Sequence, residues 1–441
     1  MVDPRRPEGR AGPGVPDAGT HVSPPRYLTR DIPGIGGVIK QRPEDFFVEE
    51  IPLYTPRGEG EHVYLFIEKR GVSTLDMIDV VARHFGVSRR AVGYAGLKDK
   101  HAVTRQVVSV HVPGKSAADF PELIHERFTV LWADQHVNKL RRGHLSGNRF
   151  SIRIRGVDPA SAIAAARTLA RLAGTGVPNR FGEQRFGQFQ INHLIGRALV
   201  LGDDKSALDL MLGPHPSHPD SQAQARRAYA EGRLADALHM MPRSLGTERE
   251  ALRLLVRGAD ARRASMGMRE EARGFFLSAM QSAVFNAVLD GRVSDETFDR
   301  LVEGDLAFVH GSRAVFPADR GVIEDPATPD RLRRIEISPT GPMWAEGMPT
   351  ASGSVHEAEV AALAGLGLTP ENLEAFSRRE GRGLEGDRRP LRIPLIDPDA
   401  EGGADEHGPY VRVSFELPRG SFATVVLREI MKPRTDPDAS P

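Results

Sequence analysis

Asp99 is the residue whose surroundings most suggest chemistry. It sits in GYAGLKDKHAVTRQ (Gly93–Gln106), flanked by Lys98 and Lys100, with His101 next and Arg105 beyond. Nearby cations favour an ionised carboxylate and lower its pKa, as a nucleophile or base at neutral pH requires. Gly93 and Gly96 permit close approach of a ligand. On residue types alone, a solvated Asp–Lys pair on a loop is the commoner meaning of such a run. Other chemistries lack their parts. GIGG (Gly34–Gly37) has no Lys-Ser/Thr of a phosphate loop, and no GxGxxG leads a strand into a helix. HExxH and GxSxG are missing, and the chain has no cysteine, which excludes disulfides, thiol nucleophiles and Cys-ligated metals. No metal or cofactor is expected, so a catalyst here would rely on carboxylates and positioning.

A second group of residues suggests a polyanion. Fifty-nine Lys and Arg balance 59 Asp and Glu, but Asn138–Arg155 holds Lys139, Arg141, Arg142, Arg149, Arg153 and Arg155 with no acid between them. In NRFSIRIRG (Asn148–Gly156), the strand period puts Phe150, Ile152 and Ile154 on one face. Arg149, Arg153 and Arg155 lie on the other, where they are expected to meet nucleic-acid phosphates; a merely solvated face is the alternative.

These residues need a scaffold. At 441 residues and 48.2 kDa, with 40% hydrophobic and 27% charged residues, the chain is long enough for two domains plus tails. No apolar run approaches the roughly 20 residues a bilayer requires, and the opening MVDPRRPEGRAGPGVPDAG has no apolar stretch of a secretory signal. No membrane partner and a cytoplasmic location are expected. Residues 1 to about 30, rich in Pro, Gly and Arg, read as a flexible tail. HVYLFIEKR alternates as a strand, and Ser73-Thr74 caps a helix that buries Leu75, Ile78, Val81 and Phe85. RQVVSVHV is another strand. An Ala-rich helix covers Ala160–Ala173, and a mainly helical region follows, with one helix over Arg273–Asp290 between irregular stretches near His215–Pro219 and Pro326–Pro329. PDAEGGADEHG is expected to be a loop, YVRVSFEL a strand, and Ser421 the cap of a final helix to Lys432.

GYAGLKDKHAVTRQ resembles the signature of the TruD family of tRNA pseudouridine synthases. IKQRPEDFFVEE (Ile39–Glu50), LSGNRFSI (Leu145–Ile152), GVPNRFGEQRFG (Gly176–Gly187), FFLSAMQSAVFN (Phe275–Asn286) and LPRGSFATVVLRE (Leu417–Glu429) are similar to further family blocks, in family order. The resemblance implies an α+β fold: a pseudouridine synthase catalytic core with a mixed sheet and a central cleft, plus an inserted TRUD-type α/β domain. It places flexible tails at 1–33 and 434–441, the catalytic domain at 34–175 and 394–433, and the insertion at 176–393. It implies Asp99 as catalytic residue, with Phe46, Asn148 and Phe422 binding substrate and Lys40 near the aspartate. The implied activity is conversion of uridine to pseudouridine in tRNA, at position 13, by a monomer that uses tRNA, no metal and no nucleotide cofactor. Two other functions stay open on the residues. One is a glycosidase or nucleoside hydrolase pairing Glu49 or Glu50 with Asp99; the other is a non-catalytic tRNA-folding factor using the basic strand. NRFGEQRFG is equally a structural or an RNA-contacting segment, and Glu183 and Arg185 within it could simply pair with each other.

Overall fold

The structure, a computed structural model, describes residues 26–215, 218–381 and 383–432. Its first stretch supplies β1 (Phe46–Pro52), β2 (His62–Arg70), α1 (Thr74–His84), β3 (Val92–Tyr94), β4 (Val103–His111), β5 (Phe128–His136), β6 (Leu145–Arg155) and α2 (Ala162–Thr175). A long middle region follows. Its helices are α3 (Asn192–Leu201), α4 (Asp204–Leu212), α5 (Asp220–Ala230), α6 (Leu234–Met240), α7 (Gly246–Val256), α8 (Ala261–Met266), α9 (Glu270–Ser294), α10 (Arg320–Glu324), α11 (Thr328–Arg333), α12 (Gly353–Gly365) and α13 (Pro370–Glu380). Its strands β8 (Leu306–Val309), β9 (Val315–Pro317), β10 (Ile337–Met343) and β11 (Asp387–Pro390) form a small sheet, ordered β11-β10-β8-β9. At the neck of this region β7 (Val177–Pro178) pairs antiparallel with β12 (Arg392–Ile393). The chain then returns as β13 (Ile396–Asp405), β14 (Gly408–Pro418) and α14 (Ala423–Met431).

The large sheet is ordered β13-β14-β6-β1-β4-β2-β5, with β3 on β4. Thus strands from the two ends of the chain lie side by side, and β1 runs parallel to β4 at the centre. Two separate cores back this sheet. Met77, Ile78 and Val81 of α1 pack on Val63, Leu65, Ile67, Val108 and Val110. Leu169 and Leu172 of α2 and Val426 and Ile430 of α14 pack on Val48, Phe150, Ile152, Val413 and Phe415. Val48 is in register with Thr104, which shares the parity of Val108 and Val110, so both helical layers cover the same face. Between them Glu50, Lys69, Thr104 and Gln106 are buried. Buried polar groups require partners, and this strip is where a site belongs.

Several expectations need correction. PDAEGGADEHG is not a loop: Ile396–Asp405 is an edge strand paired along β14. It has no apolar alternation because most of it faces water. A Cβ at Gly402 would meet the Pro159 carbonyl oxygen at 2.3 Å, and one at Gly403 the Tyr410 ring at 2.7 Å, so those glycines admit close neighbours rather than mark a turn. FTVLWADQH, unread in the sequence, is β5. Pro329 lies in the first turn of α11 rather than in an irregular stretch, a position where its missing N–H does no harm. Leu75 is exposed and Met77 takes its place in the core. Phe422, not Ser421, occupies the N-cap of α14, with no side-chain cap bond. Leu28–Ile32, expected to belong to a flexible tail, is bound to α14: Glu429 accepts hydrogen bonds from Leu28 N, Thr29 N and Thr29 Oγ1 at 3.0, 3.0 and 2.7 Å. Residues 1–25 and 433–441, which include most of the expected N-terminal tail and all of the C-terminal one, lie outside the described residues, as do Pro216, Ser217 and Arg382.

Candidate active site

Asp99 occupies the connection between β3 and β4, which is pinned from beneath. Ser73 caps α1, accepting the Asp76 N–H. The next residue, Thr74, takes the Lys98 N–H at 2.9 Å and donates to Gln106 at 3.0 Å. Lys69, wholly buried, donates to the carbonyl oxygens of Val72 and Asp99 at 2.8 and 2.9 Å. Its burial pushes its pKa down to about 8.

The Asp99 carboxylate meets Lys40 Nζ and accepts the His101 N–H at 2.9 Å. Burial raises its pKa, but the Lys40 hydrogen bond, the His101 N–H and the Lys40 charge prevail and hold it below the usual carboxylate range. Lys40 takes a left-handed backbone, φ 57°, a conformation that costs a non-glycine residue about 1–2 kcal/mol. The same ammonium lies 4.5 Å from the centre of the Phe46 ring. Lys40, Phe46 and Asp99 therefore form one cluster.

Lys98 does something the sequence did not suggest. Although adjacent to Asp99 in the chain, it turns away and donates to Asn148 Oδ1 at 2.6 Å, beside Glu50 Oε2 at 3.1 Å. The cation that holds Asp99 is instead Lys40, 59 residues earlier in the chain. Glu50 and Asn148 face each other across β1 and β6, both on the helix-backed side. With its oxygen engaged, Asn148 has its amide nitrogen left to donate. Burial raises the Glu50 pKa against the pull of Lys98. Glu50 and Lys98 were missed as a pair; the only signal was an acid in β1 whose parity matches Val48. Phe422 comes from the far end of the chain. Leu417 pairs with Asn148, and Arg419 N donates to Ser146 O at 3.1 Å, so the turn into α14 leaves the sheet beside Asn148. Phe422 is 47% exposed, which makes it a surface aromatic and not core.

The arginine row differs from its expectation. Arg155 is buried, hydrogen-bonded to Asp45 at 2.8 Å and to Asp405 at 2.8 and 2.9 Å, so no free cation faces solvent there. Arg153 pairs with Asp405 at 3.3 Å. Arg149 bridges Glu49 and Glu416 at 3.3 and 2.6 Å, and Arg105 joins Glu49 to Glu68 at 3.0 and 2.8 Å. Across five strands the charges alternate: Glu68, Arg105, Glu49, Arg149, Glu416. The three arginines of β6 are thus paired with acids from neighbouring segments of the chain. The row also lies on the sheet face opposite Asn148, as the strand period demands. Glu49 belongs to that far face, and Glu50 is ion-paired and buried, so neither stands free as a second carboxylate beside Asp99. Among the described residues no group of three His, Cys, Asp or Glu is placed to hold a metal, and no helix is long and apolar enough to cross a membrane.

Comparison with known proteins shows the family. The family model for tRNA pseudouridine synthase D (TruD) matches residues 25–430. The chain is 45% identical over 409 residues to tRNA pseudouridine synthase D of Geobacter sulfurreducens, covering 92% of this chain and 97% of that one. It is 36% identical over 412 residues to a Thermus thermophilus protein of the same name, covering 93% of each. A crystal structure of a TruD protein from Methanosarcina mazei superimposes with a TM-score of 0.81 at 28% identity, over 94% of this chain and 97% of that one. Sequence, fold and comparison converge: this chain belongs to the tRNA pseudouridine synthase D (TruD) family.

Proposed function

We propose that this protein converts uridine to pseudouridine in tRNA, at position 13, with Asp99 as the catalytic carboxylate. The observation that carries the proposal is the Asp99–Lys40–Phe46 cluster, set beside Asn148 between the two helix-backed halves of the sheet, in a chain the family model matches almost throughout. The reaction breaks the C1′–N1 bond, turns the base over and joins C5 to C1′; the C5 proton is lost and N1 gains one. Attack of Asp99 on C1′, addition to the base, and removal of a sugar proton all begin from an ionised carboxylate. Lys40 keeps it ionised.

The remaining residues retain the detached base. Phe46 and Phe422 offer rings, and stacking on an aromatic contributes roughly 1–3 kcal/mol per base. Asn148, its oxygen held by Lys98, presents N–H groups to a uracil oxygen. A uridine inside folded tRNA must first leave its stack to reach Asp99. The catalytic domain is 34–175 with 394–433, the insertion 176–393. The protein works as a monomer in the cytoplasm. Pseudouridine mapping of an unmodified tRNA transcript treated with the purified protein tests this. A single new pseudouridine at position 13 is expected; free uracil would instead point to a hydrolase, and an unmodified but bound tRNA to a folding factor.

A further inference from the structure

The NRFGEQRFG segment (Asn179–Gly187) has no part in the site built above, and its charges are unusual. Arg180 is neutralised by Asp290. Glu183 and Arg185 do not pair; Glu183 is exposed, while the Arg185 guanidinium lies 5.4 Å from both the Phe181 and Phe275 ring centres. Among the described residues its one hydrogen bond is a 3.4 Å contact from Nη1 to Ser278 Oγ. Arg389 of β11 lies over the same Phe181 ring at 4.3 Å and over Phe285 at 5.6 Å. Its partners are the Asn179 carbonyl and side-chain oxygens. Neither arginine meets a carboxylate among the described residues.

Two neighbouring buried arginines are more fully engaged. Arg388 pairs with Glu359 and also donates to Thr340. Arg392 donates to Ser338 Oγ and to the carbonyl oxygens of Thr175, Leu332 and Ile337. A guanidinium carries five N–H groups. Arg185 and Arg389 leave several of theirs unused, and two cations share one ring with no counter-charge. Burial pushes Arg389 down to about 10, and the nearby charges of Arg185 and Arg313 act in the same direction. The ring between them is fixed: Asn286 accepts the Phe181 N–H and donates to its carbonyl, both at 3.0 Å. Phe275 is exposed, so the Arg185 end opens to solvent. Gly182 lies against α14, where an added Cβ would stand 3.6 Å from Thr424 Oγ1, two residues beyond Phe422.

We infer that Arg185 and Arg389, stacked on Phe181, form a phosphate-binding site that grips the RNA backbone beside the nucleotide presented to Asp99. An anionic backbone supplies the acceptors and the counter-charge that this pair lacks. The inference rests on the RNA-modifying function proposed above and adds to it the place where the middle region holds the strand.

The test is tRNA binding as a function of salt, with an unmodified tRNA transcript, for wild type, Arg185→Gln, Arg389→Gln and the double variant. The double variant should bind about tenfold more weakly near 0.15 M salt and lose about 1.5 from the slope of log K against log salt, since each phosphate contact contributes about 0.7–0.9. Arg389→Lys should recover most of the slope, because the charge returns. Turnover at saturating tRNA should change less than about twofold. A folded double variant, with wild-type circular dichroism and melting, whose slope is unchanged overturns the inference. Should Arg389→Gln unfold the protein, Arg185→Gln alone decides: a slope reduced by about one contact supports the site, an unchanged slope removes it. Wild-type protein that binds no tRNA, or binds it without forming pseudouridine, overturns instead the functional proposal underneath.

Discussion

Lys40 is the residue on which the acidity of Asp99 depends, since burial alone would move that carboxylate the other way. The sign follows. With Lys40 present, Asp99 stays ionised to below its ordinary value of 3.8, so its contribution to stability is full above that pH and is lost only as the pH falls through the lower folded value. Without the ammonium, burial is opposed only by the His101 N–H and charge, so the pKa rises. Lys40→Met should therefore move the acid limb of kcat/KM upward and lower activity on the acid side, while the wild type shows no such fall down to about pH 5. Rate profiles from about pH 5 to 8 check this; an acid limb that stays in place removes Lys40 from the site. Asp99 itself was legible in the sequence, but through the wrong neighbours. Adjacency in the chain suggested Lys98 and Lys100, whereas a turn aims neighbouring side chains in different directions. Lys98 faces Glu50 and Asn148, and no local pattern reports that.

At the scale of elements, strands buried on one side were readable and strands at the edge were not. β6 shows its period because Phe150, Ile152 and Ile154 must enter a core. β13 shows none because its pairing is carried by backbone groups, which every sequence has. The same limit applies to charge: an acid-free run in one strand says nothing about the acids opposite it. Arg149 and Arg153 are satisfied by Glu49, Glu416 and Asp405 on the face away from Asn148. Replacing both by Gln should leave the salt slope for tRNA binding within about 0.3 of wild type, less than half of one phosphate contact, and turnover within about twofold. A slope lower by more than about one unit would return these residues to the RNA interface. Arg155→Met should be damaging for another reason. It leaves Asp45 buried without its cation, which destabilises by about 3–5 kcal/mol, measurable by urea unfolding.

For the whole molecule, the proposed site draws on both ends of the chain. Phe46, Asp99 and Asn148 come from the first stretch and Phe422 from the last, and the pairing of β6 with β14 joins the two stretches in one sheet. The order of the motif blocks anticipated this, although the middle region reads as a separate fold with its own core and sheet. Because Phe422 is exposed, Phe422→Ala should change stability by no more than about 0.5 kcal/mol. It should bind tRNA nearly normally and turn over at least about tenfold more slowly, the loss lying in the step where the base is held. Melting curves and single-turnover kinetics separate these effects, and a large loss of stability would make the ring structural. The most direct test is Asp99→Asn, assayed for pseudouridine in tRNA and for tRNA binding in parallel. The site described here predicts that pseudouridine formation is abolished while the tRNA dissociation constant stays within about threefold of wild type, because the ionised carboxylate is lost and the phosphate contacts remain. Residual turnover above about one per cent of wild type would contradict it and place the chemistry on another residue.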